Sequence, residues 1–323
     1  MNPLDTFSAP LFISWQLTRD CDLACLHCCT DSAPRKHLPD ELTAEEALRV
    51  AEQIVAAEVP YVMLCGGEPL RSPYFFQVAE TLGAAGTALK IETNGQMFDD
   101  AVAQRLAKLP IRSIQISLDG DTQEIYSSQR PGASLEKTHA ACRAVVAAGM
   151  KLEVTFAPSR LNIHQLDAVV ERARALGAFR FNTGKLMRIG RAARLWRRIA
   201  PDPATVAAFR TRLDQLSSLV DGGMEIWHDP FTVEDGLRQS LQSPPATLLI
   251  LPNGMVKIVA SCGQICGHLR ESSLSEVWDQ YRCAWRHEKV IAAVQRAIAD
   301  EAAHADANVW TRVPKGELEQ CST

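Results

Sequence analysis

Three cysteines near the N-terminus, in the run CDLACLHC, are the residues whose types and spacing point most directly to chemistry. Cys21, Cys25 and Cys28 follow a C-x3-C-x2-C pattern, which places three thiolates on one short segment. Three thiolates can hold three corners of a [4Fe-4S] cluster. The fourth iron then keeps an open position for a chelating small molecule, as catalytic metal centres do. Two alternatives stay open: a zinc knuckle with His27 as fourth ligand, and a chance grouping among ten cysteines.

Three further segments, each rich in glycine and polar side chains, follow predicted strands downstream of the cysteines. They are LCGGEPL (64–70), IETNG (91–95) and ISLDG (116–120). In order and spacing, these segments and the cysteine run resemble the radical S-adenosylmethionine (SAM) enzymes over roughly residues 11–200. Residues 247–279 resemble the start of the SPASM/twitch extension found in one branch of that superfamily. The resemblance implies a [4Fe-4S] cluster and SAM as cofactors.

The GGEP segment supplies the first of the implied SAM contacts. Gly66 and Gly67 allow a close backbone approach, and Glu68 is implied to accept a hydrogen bond from the SAM ammonium group. A plain strand-to-helix turn is the alternative. It explains the two glycines but not an acid followed by proline.

Five more side chains are implied to contact SAM. Asn94, Ser117 and Asp119 are implied to contact the ribose and methionyl groups, although each is also typical of a cap or turn. Arg130 matches a position that holds the SAM carboxylate, a task suited to a guanidinium, with a plain surface arginine as the alternative. His27 stands where the family usually carries an aromatic residue beside the adenine, and is therefore a departure from the pattern.

The C-terminal extension carries fewer cysteines than its resemblance implies. SPASM domains hold two further clusters and twitch versions hold one, whereas this chain has Cys262, Cys266, Cys283 and Cys321 without the usual final C-x-x-C pair. Four thiolates suffice for one auxiliary iron–sulfur cluster, with Cys262 and Cys266 as its first ligands. A degenerate domain that kept its fold and lost its metal is the alternative.

Composition is that of an ordinary globular protein and narrows the choice of partners. The 323 residues are 46% hydrophobic and carry a net charge of −4, which disfavours nucleic acid and anionic membranes as partners. The one basic cluster, RIGRAARLWRR (188–198), is expected to be a solvated helix face.

No run approaches the roughly 18 apolar residues of a membrane span, and the N-terminus lacks a signal peptide. We therefore expect a cytoplasmic protein, in which clustered cysteines indicate metal or redox chemistry.

The elements that position these residues alternate along the chain. Strands are predicted at 11–18, 60–65, 88–92, 113–119, 151–156 and 179–185, and helices at 43–58, 73–84, 98–108, 134–149, 163–176 and 203–219. Repeated strand–helix units predict a parallel α/β sheet. Six of them form a partial (β/α)6 barrel whose site lies at the carboxyl ends of the strands, where all four motifs fall. Thr43 and Glu46 predict a capping box at the first helix.

Two domains follow from this pattern. Residues 1–220 are predicted to be the radical SAM core, and 221–323 a small α+β twitch-like extension. Within the second, 221–246 is expected to be a loop-rich linker and the last twenty residues poorly ordered. Asn253-Gly254 predicts a hairpin with a type I′ turn.

The resemblance implies an enzyme that cleaves SAM and abstracts hydrogen from a bound substrate, with a flavodoxin or ferredoxin as electron donor. About twenty residues precede the cysteines, too few for a leader-binding domain. This favours a small-molecule natural product, such as a carboxylated sugar or nucleoside in antibiotic biosynthesis, undergoing decarboxylation, dehydrogenation or epimerisation. One alternative is a maturase of a ribosomal peptide or peptide-derived cofactor. Another is a non-catalytic iron–sulfur scaffold, which would need the cysteines but not the other three motifs. No substrate acid or base can be named.

Overall fold

The structure, a computed structural model, describes residues 3–218, 223–228 and 232–319. The described strands are β1 (Phe12–Gln16), β2 (Tyr61–Cys65), β3 (Ala88–Thr93), β4 (Ile111–Ser117), β5 (Leu152–Phe156), β6 (Arg180–Thr183), β7 (Glu225–His228), β8 (Thr247–Ile250), β9 (Met255–Lys257), β10 (Gln264–His268) and β11 (Thr311–Arg312). They form one sheet in the order β11-β10-β9-β8-β1-β2-β3-β4-β5-β6-β7.

Strands β1 to β7 pair in parallel, each with the next along the chain. Alternate residues of a strand point to opposite faces. On one face Ile13, Leu64 and Ile91 are fully buried, because the connecting helices pack there. The opposite face, called the lumen face below, carries polar residues such as Lys90 and Glu92. The α/β fold and the parallel partial barrel predicted from the sequence are confirmed.

Helices connect the strands of the core and complete the extension. The α-helices are α1 (Ala44–Ala56), α2 (Phe75–Ala84), α3 (Asp100–Leu106), α4 (Gln123–Gln129), α5 (Leu135–Ala147), α6 (Leu166–Ala175), α7 (Arg191–Arg194), α8 (Trp196–Ile199), α9 (Pro203–Ser218), α10 (Val233–Gln242), α11 (Leu274–Ala284), α12 (Glu288–Ala299) and α13 (Lys315–Glu319). Short 3-10 helices span Pro3–Thr6, Pro69–Arg71, Ile163–Gln165 and Glu301–Asn308. The predicted capping box of α1 is present: Thr43 and Glu46 each accept the other's backbone N–H. None of the helices described has the length and apolar character needed to cross a bilayer.

The extension continues the sheet of the core. Strand β8 pairs in parallel with β1, with Phe12 opposite Thr247, and β8, β9 and β10 form an antiparallel series. The predicted hairpin is therefore present, but its turn differs. Gly254 has a φ of 84° while Asn253 does not have a positive φ, and a type I′ turn needs both. Pro252, which favours the second position of an ordinary turn, shifts the turn one residue earlier, so that the Gly254 N–H donates to the Leu251 carbonyl.

Two segments expected to be irregular carry regular structure. The stretch 221–246 contains β7, which extends the parallel sheet beside β6, and α10. The last twenty residues include β11 and α13 as far as Glu319, because Val313 and Leu318 are buried apolar residues that anchor the segment. Cys321 lies outside the described residues.

Candidate active site

The loop that follows β1 carries the three motif cysteines. Cys21 and Cys25 are buried and Cys28 is half-buried. The backbone N–H of Leu23 lies 3.4 Å from Cys21 Sγ, and that of Ser32 lies 3.2 Å from Cys28 Sγ. Such donors favour thiolates and tune a cluster bound to them. No three His, Cys, Asp or Glu side chains in the described part of the chain already stand in metal-ligand geometry, so the fit to a cluster rests on these thiols and donors.

A buried ion pair lies beside the cysteine loop. Arg130, at the end of α4, places Nε 2.6 Å from Asp119 Oδ2, and Asp119 Oδ1 accepts from the Ala157 N–H at 2.7 Å. The guanidinium also places Nη1 3.5 Å from Cys25 Sγ. Burial raises the pKa of Cys25 to about 11, and the Arg130 charge acts against that rise. Arg130 therefore supports the thiolate that a cluster requires.

His27 completes this group with one ring nitrogen still free. Its Nε2 lies 3.4 Å from Asp119 Oδ2 and 3.3 Å from Arg130 Nη2. Burial lowers the pKa of His27 to about 4, so the ring is neutral. Its Nδ1 is buried and finds no hydrogen-bond partner among the described residues. A buried polar atom without a partner is costly, and here it is suited to a ligand group in the predicted SAM site.

Glu68 and Asn94 join the GGEP and ETNG segments to the cysteine loop. The Glu68 carboxylate is fully buried and accepts from Thr93 Oγ1 at 2.8 Å and from the Asn94 N–H at 2.9 Å. Asn94 Nδ2 in turn donates to Asp22 Oδ1 in the cysteine loop at 2.6 Å. Burial raises the pKa of Glu68 to about 7. A desolvated carboxylate of this kind is stabilised by a cation brought to it.

Ser117 ends β4 on the lumen face, where it lies opposite Thr155 of β5. It is half-buried, and its carbonyl accepts from the Tyr126 hydroxyl at 3.3 Å. The structure thus brings the ends of β2, β3 and β4 together at the cysteine loop. The individual SAM contacts of these residues stay predictions.

Gly66 and Gly67 of the GGEP segment pack closely against the backbone that precedes Cys21. A Cβ at Gly66 would lie 2.6 Å from the Thr18 carbonyl oxygen, and one at Gly67 would lie 2.1 Å from that of Asp20. The Gly67 and Glu68 N–H groups donate to these same two carbonyls at 2.7 and 2.9 Å. Both glycines therefore hold the end of β2 against the start of the cysteine loop.

Gly67→Ala is expected to lower the free energy of unfolding by about 1–3 kcal/mol, the usual cost of overpacking, and to reduce iron bound after reconstitution. Urea unfolding and iron analysis measure the two effects. Gly184→Ala is the matched control, because a Cβ there meets nothing within 4 Å. Equal iron content and stability in the two variants would contradict the steric argument.

Gly190 and Arg191 hold the far side of the cysteine loop, and sequence reasoning missed both. Arg191 donates through Nη1 to the Cys25 carbonyl at 2.7 Å and through Nη2 to the Ser32 carbonyl at 2.6 Å. A Cβ at Gly190 would lie 2.4 Å from the Cys29 carbonyl oxygen. The expectation of a solvated face for 188–198 is thus wrong for Arg191. The signal available was a glycine beside an arginine, and local patterns do not connect that pair to Cys25 and Ser32, which lie 166 and 159 residues earlier in the chain.

Polar residues of neighbouring strands meet on the lumen face, where sequence reasoning named only Ser117. Lys90 Nζ lies 2.8 Å from Glu153 Oε2, and Asn182 Nδ2 donates to the same oxygen at 2.6 Å. Gln115 Nε2 donates to Glu92 Oε1 at 2.9 Å, and burial raises the pKa of Glu92. These residues line a cavity of about 460 Å³. Alternation of charged and apolar residues in the predicted strands was the signal for it.

The cysteines of the extension are buried in different surroundings. Cys262 interacts with the Lys257 ammonium, whereas Cys266 lies 3.5 Å from the Val256 carbonyl oxygen and interacts with Tyr281. Cys283 lies on α11. The described residues do not show these thiols as one ligand set, and the auxiliary cluster stays a prediction.

Comparison with known proteins identifies the domain that contains this site. The family model described as Radical SAM superfamily matches residues 15–173. The mycofactocin maturase MftC of Mycobacterium ulcerans is 32% identical over 201 residues, which are 62% of this chain and 54% of the relative. The AdoMet-dependent heme synthase of Methanosarcina barkeri is 30% identical over 189 residues, or 57% and 53%. The sporulation killing factor maturation protein SkfB of Bacillus subtilis is 29% identical over 190 residues, or 58% and 45%. The chain thus spans about half the length of the curated relatives it matches.

Solved structures share the fold over a larger part of the chain. Streptococcus suis SuiB bound to S-adenosylmethionine has a TM-score of 0.69 at 18% identity, covering 84% of this chain and 66% of SuiB. Native anSMEcpe with bound AdoMet has a TM-score of 0.64 at 13% identity, covering 90% and 84%. Both likenesses concern the fold, and they extend beyond the matched domain into the extension.

The three thiols on one loop, the buried Glu68 carboxylate and the free His27 nitrogen fit the cofactors of this superfamily, a [4Fe-4S] cluster and SAM. Residues 15–173 are a radical SAM domain, and the C-terminal extension that follows it has cysteines consistent with a SPASM/twitch domain.

Proposed function

We propose that this radical SAM enzyme modifies a peptide or a peptide-derived substrate. The observation that carries the proposal is the 32% identity to a mycofactocin maturase across the domain that contains the site. A second relative is named as a maturation protein, and SuiB, which shares the fold, has been solved with its precursor peptide. These findings favour the peptide alternative over the carboxylated sugar or nucleoside that the sequence first suggested.

The chain's own residues have distinct tasks in this proposal. In this site a bound [4Fe-4S] cluster would supply the electron for reductive cleavage of SAM to methionine and a 5′-deoxyadenosyl radical. Cys21, Cys25 and Cys28 hold that cluster, and Glu68 accepts from the SAM ammonium group. Arg130, whose Nε is held by Asp119, would bind the SAM carboxylate, and a flavodoxin or ferredoxin would donate the electron.

The lumen face offers a place for the substrate. The cavity of about 460 Å³ lined by Lys90, Glu92 and Glu153 is large enough for an amino-acid side chain and its peptide backbone. Glu92, whose pKa is raised by burial, is the group on this face best suited to accept or return a proton. The polar lining can satisfy peptide N–H and carbonyl groups that lose water on binding.

A carboxylated small molecule is the second candidate. It is favoured by the 30% identity to an AdoMet-dependent heme synthase. Both candidates share the cluster, the SAM site and the lumen, and differ only in what enters the cavity.

An assay with peptides tests the proposal. Short peptides encoded beside this gene are added to anaerobically reconstituted protein with SAM and dithionite, and 5′-deoxyadenosine and peptide mass are followed. We expect peptide-dependent 5′-deoxyadenosine and a mass change in one peptide. Cleavage of SAM with no peptide modified would favour the second candidate. No SAM binding by protein with a full cluster would support the scaffold alternative instead.

SAM affinity is expected to fall at acidic pH. The ammonium group of SAM pairs with ionised Glu68, whose pKa of about 7 lies far above that of an exposed glutamate. Below pH 7 the ionised fraction falls about tenfold per pH unit, and the Kd for SAM rises accordingly. Equilibrium dialysis between pH 5.5 and 8 measures this. Glu68→Gln should bind weakly at every pH, and a wild-type Kd that does not change with pH would contradict the assignment.

A further inference from the structure

A small cavity lies between the cysteine loop and the extension, beside β1 and β8 rather than at the ends of β2 and β3. Its volume is about 40 Å³, more than the space one water molecule needs. Lys257 of β9, Arg19 and Cys29 all line it. Cys29 directly follows the cluster ligand Cys28, so a group held here borders the cluster-binding loop.

Two cations face this cavity without a carboxylate among its lining residues to balance them. Lys257 is 3% exposed, and its Nζ has one hydrogen-bond partner among the described residues, the Ala260 carbonyl oxygen at 2.8 Å. Arg19 donates through Nε to the Thr30 carbonyl. Within the described part of the chain neither side chain forms an ion pair with a carboxylate, and the cavity lining contains no Asp or Glu.

A buried ammonium without a counter-ion is costly, and proteins normally pair it. Burial lowers the pKa of Lys257 to about 8, so most of the amine is still protonated at neutral pH. The remaining polar lining comes largely from Gln16 and Asn308, whose amides can donate further hydrogen bonds. All of these groups suit one small anion.

We propose that Lys257 and Arg19 form an anion site that holds a carboxylate group of the substrate. This deepens the proposed function. The anion site is argued independently of it, and only the identity of the molecule that carries the carboxylate rests on the proposed function. It places one end of the substrate between the extension and the cysteine loop. A peptide C-terminus, an acidic side chain and a carboxylated small molecule all supply the required group.

Formate is the probe for the site, because it is a bare carboxylate. The holoprotein is heated anaerobically with and without sodium formate. We expect the wild-type melting temperature to be about 2–4 °C higher in formate. Lys257→Met should melt at the same temperature with and without formate. Lys289→Met, at an exposed lysine, should behave like the wild type and controls for general salt effects.

Crystals of the wild type soaked in sodium bromide give a readout that needs no variant. An anomalous bromide peak within hydrogen-bond distance of Lys257 Nζ is expected. Absence of both the peak and the formate shift, or a formate shift that persists in Lys257→Met and Lys257→Gln, overturns the anion site.

The peptide assay then identifies the source of the anion. A peptide whose carboxyl groups are converted to amides should be modified at least tenfold more slowly than the free acid. Equal rates with an intact bromide site would assign the site to a free anion and overturn the substrate carboxylate. If no peptide is modified, the proposed function fails, while the formate and bromide results still decide the anion site independently.

Discussion

Cys28→Ala is expected to abolish 5′-deoxyadenosine formation from SAM. Cys21, Cys25 and Cys28 are the three predicted ligands of the cluster, so losing one of them leaves an iron without its ligand. Even outer-shell changes at metal sites cost about 10–100-fold, and we expect a loss greater than about 100-fold here. Anaerobic reconstitution, iron and sulfide analysis and chromatography of the products measure cluster content and activity together.

Cys142→Ala is the matched control for this experiment. Cys142 is fully buried on α5, away from the loop, and its replacement tests the loss of a thiol without the loss of a ligand. It should keep full iron content and SAM cleavage. A Cys28→Ala protein that still produced 5′-deoxyadenosine at a comparable rate would remove Cys28 from the ligand set.

Arg130→Met is expected to lower the free energy of unfolding by about 3–5 kcal/mol, the usual cost of leaving a buried charge unpaired. The Asp119 carboxylate has no exposed surface and its Oδ2 lies 2.6 Å from Arg130 Nε. The same change removes the guanidinium 3.5 Å from Cys25 Sγ, so iron content and SAM affinity should fall as well. Urea unfolding, iron analysis and equilibrium dialysis with SAM measure these effects.

Arg143→Met provides the comparison on the surface. Arg143 and Glu136 form an exposed pair on α5, and exposed pairs contribute only about 0–1 kcal/mol. In the double variant Asp119→Asn/Arg130→Met the uncompensated negative charge is gone, and part of the lost stability should return. Similar losses for Arg130→Met and Arg143→Met would refute the assignment of Arg130 as the charge partner of a buried acid.

The order of the core strands could be predicted because each buried strand is a short apolar run followed by a helical pattern. Motif residues at the ends of those runs, such as Glu68 and Asn94, therefore come together as soon as the sheet is parallel. Strand β7 was missed because EIWH is only half-buried and lacks the continuous apolar run of the earlier strands.

Local sequence patterns could not predict residues whose contacts are made only in the tertiary fold. Arg191 donates to carbonyls of the cysteine loop, and this depends on where α7 returns after six strands. Lys257 was not singled out from the sequence, and it is buried on β9 opposite Leu249 of β8, the strand that pairs with β1. The turn at Asn253-Gly254 was predicted from the dipeptide, while Pro252 decided its geometry.

The parallel pairing of β8 with β1 has a consequence for any attempt to study the radical SAM domain by itself. Shortened to residues 1–245, the chain would lose β8 and leave the outer hydrogen-bonding side of β1 without a partner. That strand is short and apolar, with Ile13 and Trp15 fully buried in the complete chain, and an unpaired strand of this kind pairs readily with another molecule. By covering this edge of β1, the extension prevents self-association of the barrel, and we expect that the two parts have to be expressed together.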